Sequence, residues 1–264
     1  MFCLEYYIGT YNYLQQELDK LPVISFGVHS GKSIMRIYSK DSHKWHEIFA
    51  NSSNWNKYYS IAQTRSRLKR QLARIIKECR SALNVDCRKL LSDYQAVDTS
   101  NKRFNTEFWN SITSETPTYT KDNNYDQSGI QFRSRVEVII ARILDELGLE
   151  YRYDVMIRAN GHKYFVDFVV YLPQFDSCFF IEYFGSLNEQ KYLEDSLDKT
   201  KNYYKDRLYP GEQLLLLCGD KDTMPSYAVI REQIAAMVNG IAKQHIIKGK
   251  NNENLVCHSK QTHI

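Results

Sequence analysis

The chain has 264 residues, of which 43 % are hydrophobic and 25 % are charged, an ordinary globular composition that excludes a disordered or collagen-like polypeptide. The formal net charge of +4 is too small to identify a binding partner. The longest apolar runs, such as residues 214–218, fall far short of the ~20 residues that cross a bilayer. We therefore expect no membrane partner.

The beginning of the chain, MFCLEYYIGT, lacks the basic start and the continuous apolar stretch of a secretory signal. None of the six cysteines forms a CxxC pair. Cys79, Cys178 and Cys218 lie in apolar segments, where cysteine behaves as a small hydrophobic residue. These features predict a cytoplasmic, intracellular protein without a disulfide framework.

The first 95 residues predict an accessory region made of a β-hairpin and a basic helix. Residues 22–40 read as two short strands around the turn HSGK. From residue 55 to residue 83, apolar side chains recur at steps of three and four, which predicts a helix with one apolar stripe. That stripe is formed by Leu68, Leu72, Ile75, Ile76, Cys79 and Leu83.

The same helix carries a concentration of positive charge. Residues 64–90 contain nine lysines and arginines and two acids, a net charge of +7. Arg67, Arg70, Arg74 and Lys77 lie at helical spacing opposite the apolar stripe. We identify these four as candidate contacts to the phosphates of a nucleic acid. The alternative is an ordinary solvated helix face.

Residues 96–130 are polar and rich in turn-forming residues, which predicts a linker. Residues 131–243 are strongly patterned and predict a compact domain, and residues 244–264 predict a polar tail. The apolar run near residue 215 is expected to be a central strand buried on both faces. The predicted order is helix, three strands, helix, strand and helix, over residues 135–147, 150–158, 163–172, 177–184, 188–208, 213–218 and 227–242.

Three acids stand where this pattern favours apolar residues. Asp167 interrupts the strand YFVDFVV, Glu182 interrupts FFIEYF, and Glu137 borders the apolar stripe of the first helix. Since consecutive antiparallel strands usually pair, Asp167 and Glu182 are expected to be neighbours. Either acid alone is explained by a salt bridge or an exposed strand edge.

The two acids together require compensation. Carboxylates ~4 Å apart repel by ~4 kcal/mol at an effective dielectric constant of ~20, so the pair needs a proton or a cation. Mg²⁺ prefers such oxygen ligands, and a site of this kind can activate water for attack on a phosphodiester. The pair therefore predicts a metal site.

These segments resemble the PD-(D/E)XK nuclease superfamily. SRVEVIIARILDELGLEYRYDV resembles its first helix and strand, YFVDFVV its Asp strand, and FFIEYFG the third strand of a bacterial and phage subgroup that is sometimes attached to helicases. The resemblance covers about residues 131–240. It implies an α/β protein with a restriction-endonuclease-like core, preceded here by the N-terminal β-hairpin and basic helix.

Carried over to this chain, the resemblance implies that Glu137, Asp167 and Glu182 bind Mg²⁺, with Mn²⁺ as a substitute, and that the protein hydrolyses DNA. A helicase or another DNA-processing protein is the implied protein partner. The usual E-x-K lysine is replaced by Phe184. Lys199 on the next helix could take its place, the alternative being a solvated helix lysine.

Besides a nuclease, which is the first possibility, the sequence alone leaves a second and a third function open. The missing E-x-K lysine favours a catalytically inactive nucleic-acid-binding module built on a nuclease-like fold. The third possibility is a structural component of a helicase or phage complex, in which the basic helix docks on an acidic protein. Steep salt dependence of DNA binding would distinguish the first two functions from the third.

Overall fold

The computed structural model describes residues 1–39, 42–97, 103–114, 125–127, 130–220 and 223–249. Within these ranges the chain has a mixed α/β fold with six α-helices, two short 3-10 helices (Cys87–Asp93 and Pro173–Phe175) and four sheets. The helices are α1 (Leu4–Lys20), α2 (Trp55–Leu83), α3 (Thr106–Ser111), α4 (Arg135–Leu147), α5 (Gln190–Lys205) and α6 (Tyr227–His245). The strands are β1 (Val23–His29), β2 (Lys32–Ser39), β3 (Lys44–Phe49), β4 (Tyr94–Ala96), β5 (Tyr125–Gln127), β6 (Ile130–Phe132), β7 (Glu150–Ala159), β8 (His162–Leu172), β9 (Ser177–Phe184), β10 (Leu214–Cys218) and β11 (Ile246–Lys248).

The largest sheet has the strand order β10-β9-β8-β7, and the elements from α4 to α6 follow one another in the predicted order. β7, β8 and β9 are antiparallel neighbours, whereas β10 runs parallel to β9. The turn between β7 and β8 is formed by Asn160 and Gly161, both with positive φ. This backbone is the one that a two-residue hairpin favours, and it fixes the register of the two strands.

The prediction that β10 is a central strand is wrong, because β10 lies at an edge of the described sheet. Its apolar sequence has another cause. Leu217 packs into one hydrophobic cluster and Leu214 into the other. An edge strand covered on both faces needs the same apolar residues as a central one.

The two faces of this sheet belong to two cores. Phe168 and Ile181, which are opposite each other on β8 and β9, pack into a cluster shared with α1, α2, α4 and α6. Val169 and Phe180, the next pair, pack into a smaller cluster with residues around α3 and α5. The middle of the sheet is therefore buried from both sides, and a polar group there is shielded from water, whereas the beginnings of β7 and β8 are exposed.

The N-terminal region contains more than the predicted hairpin and helix. The hairpin is present as β1 and β2, but β3 adds a third strand and α1 precedes them. Ile8 of α1 is fully buried in the same cluster as Ile140 of α4, so the N-terminal region shares a core with the patterned domain. The α1 sequence LEYYIGTYNYL was not recognised because its tyrosines and glycine are weak helix formers.

The predicted linker also contains packed structure. Phe104 and Ile112, on either side of α3, are buried against the sheet, and Arg152 of β7 donates hydrogen bonds to the carbonyls of Trp109 and Ile112. A six-residue helix is too short to show a periodic pattern. Residues 98–102, 115–124 and 128–129 of the predicted linker lie outside the described residues.

The predicted tail begins later than expected. Residues 246–248 form β11, which pairs with β4, and residue 245 still belongs to α6. Residues 250–264 lie outside the described part of the chain. None of the helices in the described ranges is long and apolar enough to cross a membrane.

The packing of α1 makes Gly9 sensitive to substitution. A Cβ at this position would overlap the ring of the buried Phe175, so we expect Gly9→Ala to lower the free energy of unfolding by about 1–3 kcal/mol. Gly240 of α6 has open space around it, and Gly240→Ala should raise that free energy by about 0.5–1 kcal/mol. Urea unfolding measures both, and destabilisation of similar size by the two variants would contradict this packing.

Candidate functional site

The pairing of three strands places three carboxylates in a row across the sheet. Tyr153 lies opposite Phe168 and Val155 opposite Val166, so Asp154 of β7 stands opposite Asp167 of β8. Asp167 and Glu182 of β9 are also neighbours, since the N–H of the next residue, Tyr183, donates to Asp167 Oδ2 over 2.7 Å. The three acids are only 4–6 % exposed. The carboxylates of Asp154 and Asp167 both contact the guanidinium of Arg133.

Asp154 is a member of the row that the sequence analysis missed. Its φ of 53° is in the left-handed region, which aspartate tolerates better than most residues. A two-residue turn at Asn160-Gly161 requires that Ala159 pair with His162, and counting back from there sets Asp154 opposite Asp167. The hairpin signal therefore contained the information needed to find it.

Glu137 borders the row and has a structural task of its own. At the third position of α4 it forms a capping box with Ser134. Its Oε2 accepts hydrogen bonds from the N–H of Arg133 at 2.8 Å, the N–H of Ser134 at 3.2 Å and the hydroxyl of Tyr153 at 2.6 Å. One oxygen thus fixes the start of α4 against β7, and the other faces the site.

The guanidinium of Arg133 lies among the acids, which the sequence analysis did not foresee. One terminal nitrogen is 2.7 Å from Asp167 Oδ1 and 3.2 Å from Asp154 Oδ1. The Arg133 Nε is 3.9 Å from Glu137 Oε1. The side chain is 34 % exposed, so Arg133 connects the buried carboxylates to solvent.

Lys199 of α5 points at the site. It is therefore not a solvated helix lysine, which was the alternative that the sequence left open. Its side chain is 19 % exposed, its ammonium is paired with Glu182 Oε1, and it donates to the carbonyl of Phe165 at 2.8 Å. The other oxygen of Glu182 accepts from the Tyr203 hydroxyl at 3.3 Å. Phe184, at the expected lysine position, is buried in the sheet.

We call Glu137, Asp154, Asp167 and Glu182 the acid cluster. With Arg133 and Lys199 as its two cations, the cluster has a net charge of −2 when every group is ionised. Burial raises the pKa of Glu137 and of Asp167. Burial and then the charge of Asp167 raise the pKa of Glu182 to about 8. The two cations therefore do not fully compensate the carboxylates.

This charge imbalance predicts an unusual pH dependence of stability. In metal-free buffer the folded protein keeps the proton of Glu182 up to about pH 8, whereas a free glutamate loses it near pH 4.5. The free energy of unfolding should fall as pH rises through this window, by up to about 1.4 kcal/mol per pH unit. Urea unfolding in EDTA measures the slope. Glu182→Gln should flatten it, and an unchanged slope in that variant would contradict the assignment.

The four predicted phosphate contacts lie on α2 as expected. All are exposed, on the side away from the buried residues of the helix. Arg74 is engaged with Glu78 of the same helix at 2.6 Å. Arg65, outside the set, donates to the carbonyls of Leu18 and Leu21 at the end of α1. We call Arg67, Arg70, Arg74 and Lys77 the exposed cations of α2. Arg65, by contrast, has a structural role.

The acid cluster offers oxygen ligands, which suit Mg²⁺ or Mn²⁺. In the arrangement described, no group of three or more His, Cys, Asp or Glu residues in the described ranges is set to hold a metal ion. The cations of Arg133 and Lys199 lie among the carboxylates. Arg133, being partly exposed, is the group whose withdrawal would open the site. Comparisons of the chain with models of protein families, with curated proteins and with solved structures gave no significant match.

Proposed function

We propose that this chain is a metal-dependent nuclease that hydrolyses DNA phosphodiester bonds at the acid cluster. The element order from α4 to α6 and the position of the acids on it support a restriction-endonuclease-like core as part of the same proposal. The PD-(D/E)XK resemblance of the sequence supports the same reaction class.

The observation that carries the proposal is the concentration of four buried carboxylates against two cations. When every group is ionised, the excess of two negative charges equals the charge of one divalent ion, and an ion bound there would replace the protons that burial otherwise retains. Buried charges are retained when they are paired or coordinate a metal. Asp154 and Asp167 share the contact with Arg133, and Asp167 accepts a hydrogen bond from the N–H of the residue after Glu182, so the three carboxylates lie close together.

Each residue of the site has a distinct task in this proposal. Asp167, Glu182 and Glu137 hold Mg²⁺ or Mn²⁺, and Asp154 adds a fourth carboxylate. A divalent ion bound there would lower the pKa of a coordinated water and stabilise negative charge on a phosphate. Lys199, held between Glu182 and the carbonyl of Phe165, orients the water or stabilises the developing charge in place of the E-x-K lysine.

Arg133 and α2 supply the contacts to the nucleic acid. When Arg133 leaves the carboxylates, its planar guanidinium can bind a phosphate with two hydrogen bonds. The exposed cations Arg67, Arg70, Arg74 and Lys77 lie on one side of α2 and bind further phosphates along the DNA backbone. A helicase or another DNA-processing protein is the proposed protein partner.

The second candidate is an inactive nucleic-acid-binding module. The specific observation that favours it is that Arg133 and Lys199 already pair with Asp167 and Glu182. In that case the acid cluster is a buried salt-bridge network that holds α4 and α5 on the sheet. DNA binding by α2 would be the whole function.

A cleavage assay separates the two. Purified protein is incubated with supercoiled plasmid and with single-stranded DNA in Mg²⁺ or Mn²⁺, with EDTA and Glu182→Ala as controls. Metal-dependent cutting that the variant lacks supports the nuclease. The absence of cutting together with salt-sensitive DNA binding supports the binding module, and DNA binding that is weak and insensitive to salt would contradict both.

A further inference from the structure

A second candidate site lies where α2 meets the N-terminal sheet. An open pocket of about 420 Å³ is formed between β1 and the first half of α2. The pocket is lined by Phe26, Tyr59, Ala62, Gln63, Ser66 and Arg70. The pocket is open to solvent along one side, as a site for one unit of a longer ligand must be.

The two aromatic rings of the pocket are not core residues. Phe26 is 58 % exposed and Tyr59 is 44 % exposed, and neither belongs to a buried cluster of the described chain. The ring centroids are 6.1 Å apart and the planes are inclined by 74°, so each ring keeps a free face. The two rings belong to an exposed apolar surface that includes Val28, two residues from Phe26 on β1, and a contiguous exposed apolar surface is typical of an interaction site.

The polar lining comes from one face of α2. Tyr59, Gln63, Ser66 and Arg70 follow one another at steps of four, three and four residues, so their side chains lie along one line on the helix. The amide of Gln63 and the hydroxyl of Ser66 can both donate and accept hydrogen bonds. Arg70 forms no ion pair within the described part of the chain and belongs to the exposed cations of α2.

We propose that this pocket binds an unpaired base of a single-stranded nucleic acid. The base stacks on the free face of one of the two rings and packs against the other, which is inclined to it by 74°. Gln63 and Ser66 contact the edge of the base, and Arg70 binds the adjacent phosphate. Aromatic rings combined with a guanidinium are the elements by which proteins bind single strands. The net charge of +7 over residues 64–90 complements a polyanion and disfavours a neutral or basic partner.

This inference deepens the proposed function, because it assigns the substrate class of the same nuclease. A duplex keeps its bases stacked inside the helix and cannot present one to the pocket unless the base is flipped out. A substrate with a single-stranded segment can place a base in the pocket without the free-energy cost of unpairing and unstacking it. The expected preference is therefore for single-stranded or partly unpaired DNA.

Fluorescence anisotropy tests the proposal with the full chain, in EDTA so that no cleavage occurs. The probes are a labelled oligo(dT) and a labelled duplex of the same length. Tyr59→Leu and Phe26→Leu should each weaken oligo(dT) binding about 10-fold, the loss expected for one stacked base, and should change duplex binding less than twofold. Tyr59→Phe keeps the ring and should bind oligo(dT) as the unaltered protein does.

Phe49→Leu is the matched control. Phe49 is 37 % exposed and lies in the same sheet, but it does not line the pocket. This variant should leave both affinities unchanged. Circular dichroism confirms that each variant is folded, which is expected since both pocket rings are largely exposed.

Three outcomes would overturn the inference: oligo(dT) is not bound, the ring-removing variants bind it normally, or they lose duplex binding equally. The measurement is independent of catalysis. If the protein binds oligo(dT) through Tyr59 but does not cut DNA, the result supports the base-binding pocket and contradicts the nuclease proposal. If the unaltered protein cuts DNA and the Tyr59→Leu variant binds oligo(dT) as tightly as the unaltered protein does, the pocket is refuted and the nuclease proposal is not.

Discussion

Asp167→Asn is expected to lower the rate of metal-dependent DNA cleavage by about 10³-fold, the size of effect seen when one preorganised electrostatic group is removed from an active site. Asn keeps the volume of Asp and can still accept the hydrogen bond from the N–H of Tyr183. The substitution therefore removes a negative charge and leaves the backbone contact. DNA affinity in EDTA should stay within about twofold, because the exposed cations of α2 are unchanged.

Glu150→Gln is the matched control for this experiment. Glu150 is an exposed carboxylate at the first residue of β7, so the substitution removes one negative charge outside the acid cluster. Its cleavage rate should equal that of the unaltered protein. Cleavage by Asp167→Asn at a normal rate would contradict the nuclease proposal. Joint loss of cleavage, binding and cooperative unfolding would instead identify Asp167 as a folding residue.

The helices and strands that the sequence predicted best are those with long apolar patterns. The residues of α2, α4 and α6 repeat every three to four positions, and each of these helices begins within one residue of its predicted start. The helix α1 and the strand β3 were missed. The α1 segment has tyrosine at four positions, at both buried and half-buried places on the helix, and β3 has only one half-buried residue, Ile48. Neither shows the contrast between apolar and polar positions on which such predictions rest.

The acid cluster was predictable in part. Asp167 and Glu182 could be found because an acid inside an apolar strand breaks the pattern. Asp154 needed the register of the hairpin in addition. Arg133 could not be found, because it lies before the first turn of α4 and its role depends on how that turn docks against β7 and β8. Contacts between residues distant in sequence carry no local signal.

The contact of Arg133 with the acid cluster, which the sequence could not predict, is also the one whose removal should lower the free energy of unfolding strongly. Arg133→Met removes the cation that lies among Glu137, Asp154 and Asp167. Breaking a fully buried ion pair costs about 3–5 kcal/mol. Since a third of the Arg133 side chain remains in water, we expect the free energy of unfolding at pH 8 in EDTA to fall by about 2 kcal/mol.

Arg142→Met is the control, because Arg142 is an exposed arginine on the same helix, α4. That variant should change the free energy of unfolding by less than about 0.5 kcal/mol. Urea unfolding at constant ionic strength measures both. A loss of similar size in the two variants would show that Arg133 does not hold the acid cluster together.

Added Mg²⁺ turns the same variant into a test of the metal site. In the unaltered protein a divalent ion must displace the Arg133 guanidinium, whereas in Arg133→Met the carboxylates have lost that competitor. Mg²⁺ should therefore stabilise the variant more than the unaltered protein, and a concentration of 100 times its dissociation constant would restore about 2.7 kcal/mol. Equal stabilisation of both proteins would show that Mg²⁺ does not compete with Arg133. If Mg²⁺ stabilised neither protein, the acid cluster would be a salt-bridge network, and DNA binding without hydrolysis would be the function that its geometry supports.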